Sequence, residues 1–588
     1  GGLGCTLTVL FVGFPNIPDN EVEVIQNHVT KILIIADMVA ARSRRLDESN
    51  EIVMFERGPH VSFSNCCLPY HLSGKVEDHE DLVLMKPEQF FNQYRIDARV
   101  FTEVVFIDRE NKEVTVRNVV TGKEYKESYD KLILSPGAKP IVPPIPGINN
   151  ADIFTVRNVV DIAKLNTFIK ENKCKNVSVI GGGFIGVEVA ENLKEAGYNV
   201  SLIEAMDQIM KPFDADMVQV LHKEIYDKGI NLILGDKVEA FEGNNVVLAS
   251  GKRIESDAIV MAIGVVPETD LAREAGLEVG VTGAIKVNQN YMTNDKDIYA
   301  VGDAIEVFSA LTRTATKLPL AGPAQKQARA VANHIHGIPV KNTGFIGSSC
   351  IKVFDYNGAS TGLTEGQIKA QKLDINYDIV RVIPQDKVGL MPESEPLHFK
   401  LIFEVPTGRI LGAQAIGKGN VDKRVDIIAT LIKFNGTVED LADLELCYAP
   451  PFGTAKDVVN HAALVASNIL QGTFKQVYVQ NVRELVESGA FIVDVREKDE
   501  YELSHIVGAK NIPLSEIRDR LDEIPKDKKV YLHCRSAQRS YNACLALGHL
   551  GFDNIYNVSG GFMGISFYEY FHDQVTDREK IVTDYNFD

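Results

Sequence analysis

The sequence has 588 residues, of which 45% are hydrophobic and 24% charged, so it predicts several globular domains. With 80 acidic and 62 basic residues, its formal net charge of −18 argues against nucleic-acid binding. No stretch is apolar for long enough to predict a membrane span. Eight scattered cysteines without a C-x-x-C pair predict no metal site and no disulfide framework, and they favour a reducing, cytoplasmic location.

Residues 1–30 lack the basic start of a signal peptide, and we treat them as an extension outside the predicted fold. KILII (31–35) then predicts a buried strand, and EIVMFE (51–56) predicts a second strand that ends in Glu56, where a carboxylate can hold a ribose. The turn after residue 35 has no glycine, so side chains would hinder backbone approach to a pyrophosphate. From the residues alone, this unit is either a binding unit or a structural one.

The segment SFSNCCLPYHLSG (62–74) holds the adjacent cysteines Cys66 and Cys67. A cysteine at the start of a helix is expected to be a thiolate, which is the form that attacks disulfides and binds metals. The alternative is a pair of small buried hydrophobic residues. A vicinal disulfide between them would need a strained ring, so we expect none.

A second strand–turn–helix–strand pattern spans NVSVIGGGFIGVEVAENLKEAGYNVSLIEA (176–205). Gly181, Gly183 and Gly186 match G-x-G-x-x-G directly after the strand, and the helix that follows offers its unpaired N–H groups to a pyrophosphate. Glu204 ends the second strand, where it would accept a hydrogen bond from a ribose 2′-hydroxyl and repel a 2′-phosphate. The pattern therefore predicts dinucleotide binding, with NADH favoured over NADPH.

The C-terminal part alternates short strands and helices after residue 472, which predicts a separate small α/β domain. Cys534 follows the strand KKVYLH and opens the loop CRSAQRS, in which successive N–H groups, a helix dipole and arginines such as Arg539 would stabilise a thiolate or persulfide. A phosphatase likewise has an arginine shortly after its cysteine, as Arg539 here stands five positions after Cys534. The six-residue loop, together with DVRE (494–497), favours sulfur over phosphate chemistry.

Several motifs together resemble the coenzyme A-disulfide reductase branch of the pyridine nucleotide–disulfide oxidoreductases, in the form fused to a rhodanese domain. They are SFSNC-CLPYHLSG, LILSPGAKP (132–140), VIGGGFIGVE (179–188), AIGVVPET (262–269), IYAVGDAIEV (298–307) and LELCYAPPFGTAKD (444–457). The resemblance implies an α/β fold with two Rossmann-like dinucleotide-binding domains, for FAD and NAD(P)H, an α+β dimerisation domain and a C-terminal α/β rhodanese domain. The implied boundaries are 31–149 with 285–344 for FAD, 150–284 for NAD(P)H, 345–472 for dimerisation and 473–588 for rhodanese.

The same resemblance implies roles for individual residues. Cys66 corresponds to the single redox-active cysteine, and Cys534 to the rhodanese cysteine. Tyr448 corresponds to a tyrosine that reaches the active site of the other subunit in a homodimer. The remaining implied residues are Ser62 and Asn65 beside Cys66, Gly137, Gly264, Gly302 and Asp303 at the cofactors, and Arg42, Arg44 and Arg45 at the phosphates of coenzyme A. The chain departs from the family at the glycine-free first turn, at Cys67 where glycine is usual, and at Leu390 and Met391, near a usual second tyrosine.

The leading hypothesis is FAD-dependent, NAD(P)H-driven reduction of coenzyme A persulfide, polysulfide or coenzyme A disulfide through Cys66, with sulfane sulfur handled by Cys534. One alternative is an NADH oxidase or peroxidase in which Cys66 cycles through sulfenic acid. The other is a flavin-free protein in which only the rhodanese domain works, as a sulfurtransferase. The missing glycines of the first turn are the basis of that second alternative.

Overall fold

The computed structural model describes residues 30–35 and 38–587. It divides into two compact units: the first holds the described residues up to Ala205 with Asp236–Phe345, and the second holds Met206–Gly235 with the chain from Ile346 onward. The predictions made for residues 1–29 and for the turn at 36–37 lie outside the described residues. Every helix in the described chain is too short or too polar to cross a membrane.

The first unit contains a five-stranded parallel sheet built around the predicted N-terminal strands. Ile32, Leu33 and Ile34 are fully buried, because the central strand of a parallel sheet is covered on both faces. In spatial order the strands are Ile298–Ala300, Lys131–Leu134, Lys31–Ile35, Glu51–Phe55 and Asp97–Arg99. The associated helices are Met38–Leu46, Leu68–Leu72, Pro87–Tyr94 and Ala321–Ile335, and an antiparallel sheet adds Thr102–Asp108, Glu113–Asn118 and Glu124–Ser128.

A second parallel sheet in the same unit carries the glycine-rich motif. Its strands, in spatial order, are Ile153–Phe154, Ala258–Met261, Asn176–Ile180 and Asn199–Glu204. Helix Phe184–Glu195 connects the last two strands, so the predicted strand–turn–helix–strand unit is confirmed. The same unit also contains helices Val159–Glu171 and Asp270–Glu274 and the antiparallel strands Val238–Glu242, Asn245–Leu248 and Arg253–Ile254.

The second unit begins with an antiparallel sheet. Its strands, in spatial order, are Ser348–Val353, Tyr356–Gly362, Ile410–Gly417, Leu397–Glu404 and Tyr377–Val382. Helix Val421–Lys433 packs on this sheet. The other helices of this part are Ala215–Asp227, Glu365–Ala370, Val438–Asp443 and Val458–Leu470.

A separate parallel sheet forms the C-terminal domain, as predicted. Its strands, in spatial order, are Lys475–Val477, Ile555–Val558, Val530–His533, Phe491–Asp494 and Lys510–Asn511. Its α-helices are Val479–Glu487, Lys498–Leu503, Gln538–His549 and Gly561–Val575. Parallel pairing places the carboxyl ends of the strands at one edge of the sheet, and Cys534 lies there because it directly follows the central strand.

Within the second unit, a buried ionic cluster joins the antiparallel sheet to the segment before Ala215–Asp227. The ammonium group of Lys400 lies 3.1 Å from Asp214, 2.8 Å from Asp216 and 2.6 Å from Glu365. Burial opposes this charge, but Asp216, Asp214 and Glu365 raise the pKa of Lys400 above its ordinary value. The three carboxylates are close enough to hold a metal ion, and here the lysine ammonium pairs with all three of them.

Candidate active sites

The glycine-rich turn has the shape that a bound pyrophosphate needs. A Cβ atom on Gly181 would lie 2.3 Å from the Ala262 carbonyl oxygen, and one on Gly186 would lie 1.8 Å from the Gly181 oxygen, so neither position tolerates a side chain. Gly183 is exposed, and a Cβ atom there would meet nothing within 4 Å. The first and third glycines therefore serve close packing, and the second leaves the backbone open to a ligand.

Glu204 closes this turn on the side where the ribose of a dinucleotide would lie. Its Oε2 accepts a hydrogen bond of 2.7 Å from the Gly182 N–H, which holds the carboxylate beside the turn. Gly264 follows strand Ala258–Met261 with a φ of +123°. Its carbonyl oxygen accepts a hydrogen bond from the Ile141 N–H.

Glu56, which is predicted to hold the ribose of FAD, lines two adjoining clefts. Both clefts are lined by Glu56, Arg57, Pro136 and Glu268. The first cleft also reaches Asn65, whose Oδ1 atom is buried without a hydrogen-bond partner in the described structure. Further lining residues are His60, Phe63 and Arg157 in the first cleft and Val104, Val105 and Arg117 in the second. A carboxylate for ribose, apolar walls and an unsatisfied buried acceptor fit a long dinucleotide such as FAD.

Gly302 and Asp303 form a 3-10 turn directly after strand Ile298–Ala300, which is the position predicted for the ribityl and phosphate groups. The Gly302 N–H donates to Gln327 Oε1 at 2.7 Å. Burial raises the pKa of Asp303, although Arg157 opposes this shift. Gly137 has a φ of +72°, a backbone conformation that favours glycine, and a Cβ atom there would lie 2.5 Å from the movable Arg157 Nη2. The two predicted FAD glycines thus lie near one arginine and one buried carboxyl group.

Cys66 lies in the 3-10 turn Asn65–Cys67, directly before helix Leu68–Leu72. Ser62, the other predicted neighbour, is buried in strand Ser62–Phe63. Cys66 is disulfide-bonded, and because Cys67 has a free thiol, its partner is not the adjacent cysteine. Helix Leu68–Leu72 packs against helix Phe184–Glu195, whose N-terminus is the dinucleotide turn. The predicted redox cysteine and the predicted nicotinamide site therefore lie on neighbouring elements of one unit.

The second thiol, Cys534, is 1% exposed and opens the loop Cys534–Arg539. Ala537 has a φ of +76°, which turns the loop into helix Gln538–His549. Arg539 donates two hydrogen bonds, of 2.6 and 2.7 Å, to the carboxylate of Glu500. These bonds, with a further interaction with Cys534, raise the pKa of Arg539. The cation is thus held beside the sulfur, where it stabilises negative charge.

The glycine pair Gly560–Gly561 closes the other side of the loop. A Cβ atom on Gly561 would lie 2.7 Å from Ala537 N, Arg535 O and Cys534 O, and its φ is +59°. The next two residues of helix Gly561–Val575 donate their N–H groups to the loop carbonyls, from Phe562 to Cys534 at 2.8 Å and from Met563 to Arg535 at 3.0 Å. The helix start therefore fixes the loop geometry.

The DVRE segment (494–497) is not part of the Cys534 loop, and it begins at the end of the strand that pairs with Val530–His533. Asp494 and Arg496 are fully buried, and the Asp494 carboxylate accepts hydrogen bonds from Arg496 N, Nε and Nη2. Burial alone would raise the pKa of Asp494, but His533 and Arg496 lower it. Asp494 and Arg496 thus support the strand before Cys534 and do not touch its sulfur in the described contacts.

Comparison with known proteins agrees with this geometry. Residues 35–328 match the family model Pyridine nucleotide-disulphide oxidoreductase, residues 348–458 match its dimerisation domain, and residues 478–566 match the Rhodanese-like domain. The chain belongs to the pyridine nucleotide-disulphide oxidoreductases. This family uses FAD and NAD(P)H, so the predicted cofactors are confirmed at that level.

The relatives of this oxidoreductase include proteins with the same domain order. It is 34% identical to the coenzyme A disulfide reductase of Staphylococcus epidermidis over 74% of this chain and 98% of that one. The structure of reduced Bacillus anthracis CoADR-RHD is 45% identical, covering 93% of this chain and 99% of that one with a TM-score of 0.89. The NAD-dependent persulfide reductase from A. fulgidus is 33% identical over 91% and 99%, with a TM-score of 0.85. These similarities favour neither the oxidase nor the flavin-free alternative.

The predicted phosphate-binding arginines separate into two groups. Arg44 is a wrong prediction: it is buried and donates to the carbonyl oxygens of Tyr94, Arg95 and Glu48, which leaves it no role at a phosphate. Arg42 and Arg45 are less buried than Arg44.

Arg42 is half-buried and donates to Asn333 Oδ1, and Arg45 is exposed. Burial, Arg329 and Arg45 lower the pKa of Arg42, so these three cations form one basic cluster. Like charges held together in this way favour an anionic ligand.

Glu188 is a residue of this oxidoreductase that the sequence reasoning missed. It lies two positions after Gly186, and its Oε2 is buried without a partner in the described structure. Burial and Glu191 raise the pKa of Glu188 to about 7. Burial and Glu188 in turn raise the pKa of Tyr70, on the helix after Cys66, to about 12. The signal available was an acidic residue on the first turns of the nucleotide-binding helix.

Tyr448 lies in the loop after helix Val438–Asp443, and its side chain is 50% exposed. An exposed aromatic residue in the dimerisation domain is suited to a contact with another subunit. Cys447 beside it is also exposed and has a free thiol.

Proposed function

We propose that this oxidoreductase reduces coenzyme A persulfide, polysulfide or coenzyme A disulfide at the expense of NADH, using FAD and Cys66, and that Cys534 carries sulfane sulfur in its rhodanese domain. The observation that carries the proposal is the packing of the helix after Cys66 against the helix that begins at the dinucleotide turn. The activities named for the Staphylococcus epidermidis and A. fulgidus relatives support the substrate class.

Each part of the chain has a defined task in this reaction. Cys66, once reduced to the thiolate, attacks the sulfane sulfur of the substrate, which forms an S–S bond to Cys66 and releases coenzyme A as a thiolate. Tyr448 of the other subunit donates a proton to that leaving thiolate. Ser62 and Asn65 line the thiol, and Arg42 and Arg45 bind the phosphates of coenzyme A.

The cofactor sites are assigned to the residues described above. The ribose of FAD binds Glu56, and its ribityl and phosphate groups bind near Gly137, Gly302 and Asp303. When bound, FAD supplies hydride acceptance from NADH and delivery of two electrons to sulfur. The nicotinamide cofactor binds at Gly181, Gly183, Gly186, Glu204 and Gly264. The proposal also includes a homodimer, which the family resemblance implied, and a cytoplasmic location, which the sparse cysteines favoured.

The test separates the two thiols. The Cys66→Ser variant should lose NADH-dependent release of sulfide and keep transfer of sulfur from thiosulfate to cyanide, while Cys534→Ser should do the reverse. The wild-type protein should show the visible absorption of a bound flavin. Normal reductase rates in Cys66→Ser would refute the role of this cysteine. Steady oxygen consumption without any sulfur substrate would indicate the oxidase instead.

A further inference from the structure

Ser540 is a buried hydroxyl at the second thiol that the proposed function does not use. It lies in the first turn of helix Gln538–His549 and is 0% exposed. Its Oγ is 3.6 Å from Cys534 Sγ, 2.6 Å from Asn557 Oδ1 and 3.2 Å from Ala537 O, each within hydrogen-bonding geometry. A hydroxyl has one proton, so it can donate to only one of these three acceptors at a time.

Asn557 is the acceptor that competes with Cys534 for the hydroxyl proton of Ser540. It is buried in strand Ile555–Val558, and its Nδ2 donates to Ala537 O at 3.2 Å, so its Oδ1 faces Ser540. Against a neutral thiol, an amide oxygen at 2.6 Å is the better acceptor. Against a thiolate the order reverses, because hydrogen bonds to ionised acceptors are about twice as strong and the buried site screens them little.

We propose that Ser540 is a further catalytic residue of sulfur transfer, whose hydroxyl turns from Asn557 to the Cys534 sulfur as that sulfur becomes anionic. Asn557 is the positioning residue that holds the hydroxyl between turnovers. The inference rests on the proposed rhodanese activity and adds the group that responds to charge on the sulfur.

The chemical step is balanced without any further reagent. The Cys534 thiolate attacks the outer sulfur of thiosulfate, an S–S bond to Cys534 forms, and sulfite leaves with the electron pair of the broken S–S bond. Cyanide then attacks the outer sulfur of the persulfide and leaves as thiocyanate, which regenerates the thiolate. Ser540 keeps its proton throughout and donates only a hydrogen bond, to the Cys534 thiolate that is present before the first transfer and again after the second.

The test uses the full-length holoprotein with Ser540→Ala and Asn557→Leu. Loss of a hydrogen bond to a charged group should lower kcat/KM for transfer from thiosulfate to cyanide about 10- to 100-fold in Ser540→Ala. The acidic limb of its pH–rate profile should move up by about one pH unit. Asn557→Leu removes the competing acceptor, so its acidic limb should move to lower pH. A structural role alone would lower both rates and leave both limbs in place.

The matched control is Ser566→Ala, which removes another fully buried serine hydroxyl of the same domain, one that accepts from Asn586 N. It should leave the pH profile unchanged. The NADH-dependent activity at Cys66 should be the same as wild type in every variant. A Ser540→Ala profile that coincides with wild type, or limbs that move in the same direction in both variants, would overturn the inference.

A second readout separates this inference from the proposed function. The pH dependence of Cys534 alkylation by iodoacetamide, followed by peptide mass spectrometry, reports the anionic sulfur without any turnover. If the wild-type protein transferred no sulfur, the proposed rhodanese activity would fail, yet the alkylation limbs of Ser540→Ala and Asn557→Leu should still move in opposite directions. Coincident alkylation limbs would overturn the role of Ser540 even in a protein that transfers sulfur normally.

Discussion

Replacing Gly561 with alanine should disable the rhodanese loop while leaving the reductase intact. The new Cβ atom would lie 2.7 Å from three backbone atoms of the loop, namely Ala537 N, Arg535 O and Cys534 O, at a φ of +59°. A left-handed conformation costs an L-residue about 1–2 kcal/mol, and overpacking costs about 1–3 kcal/mol. Together they amount to about 2–5 kcal/mol, which the structure can relieve only by moving the helix start away from the loop.

That movement should be visible in activity before the fold is lost. A displacement on the order of 1 Å at reacting groups costs roughly 100-fold in rate, so sulfur transfer from thiosulfate to cyanide should fall by about that factor. NADH-dependent sulfide release at Cys66 should stay unchanged in the same preparation. Urea unfolding of the full chain should show an earlier transition for the C-terminal domain.

The matched control is Gly548→Ala on helix Gln538–His549 of the same domain. A Cβ atom there would meet nothing within 4 Å, so alanine should be neutral or should stabilise the helix by roughly 0.5–1 kcal/mol. The reasoning is refuted if Gly561→Ala transfers sulfur within twofold of wild type, or if Gly548→Ala is equally damaging.

Three further predictions concern the nucleotide turn and the buried pair. The Gly183→Ala variant should keep the thermal stability of wild type but have a higher KM for NADH. Gly186→Ala should destabilise the protein, because only a Cβ atom on Gly186 meets backbone atoms. Equal melting temperatures of the two variants would contradict this. Glu204→Ala should shift the ratio of kcat/KM values toward NADPH, and an unchanged ratio would refute the ribose assignment. Asp494→Asn should cost about 3–5 kcal/mol at pH 7 by leaving a buried arginine unpaired. Since the folded-state pKa of Asp494 is lowered, that stability should be lost as pH falls through it, so urea midpoints of variant and wild type should converge in acid.

The arginines after the first strand show where local pattern is insufficient. Arg42, Arg44 and Arg45 look equivalent in the sequence because all three are cations on one helix of nine residues. The structure buries Arg44 against backbone carbonyls and leaves the other two beside Arg329. Which face of that helix is covered depends on the loop carbonyls of Tyr94 and Arg95, about fifty residues away, and no local signal reports it.

Motif spacing was enough for the elements whose chemistry is local. The strand, glycine turn, helix and final Glu204 follow from residues 176–205, because tight backbone approach and a ribose acceptor each require one residue type at one position. The same holds for Cys534 and Arg539, which one loop and one helix turn bring together. Such contacts span a few residues, so the spacing of the motif is enough to predict their geometry.

Contacts between distant segments were decided only by the tertiary structure. The closure of the Cys534 loop by Gly561, the pairing of Arg539 with Glu500 and the competition of Asn557 for the Ser540 proton join segments 17 to 39 residues apart. The sequence by itself determined which chemical groups the protein carries and where each local turn begins. Packing decided which of them meet, because hydrophobic burial brings strands and helices together without regard to their order in the chain.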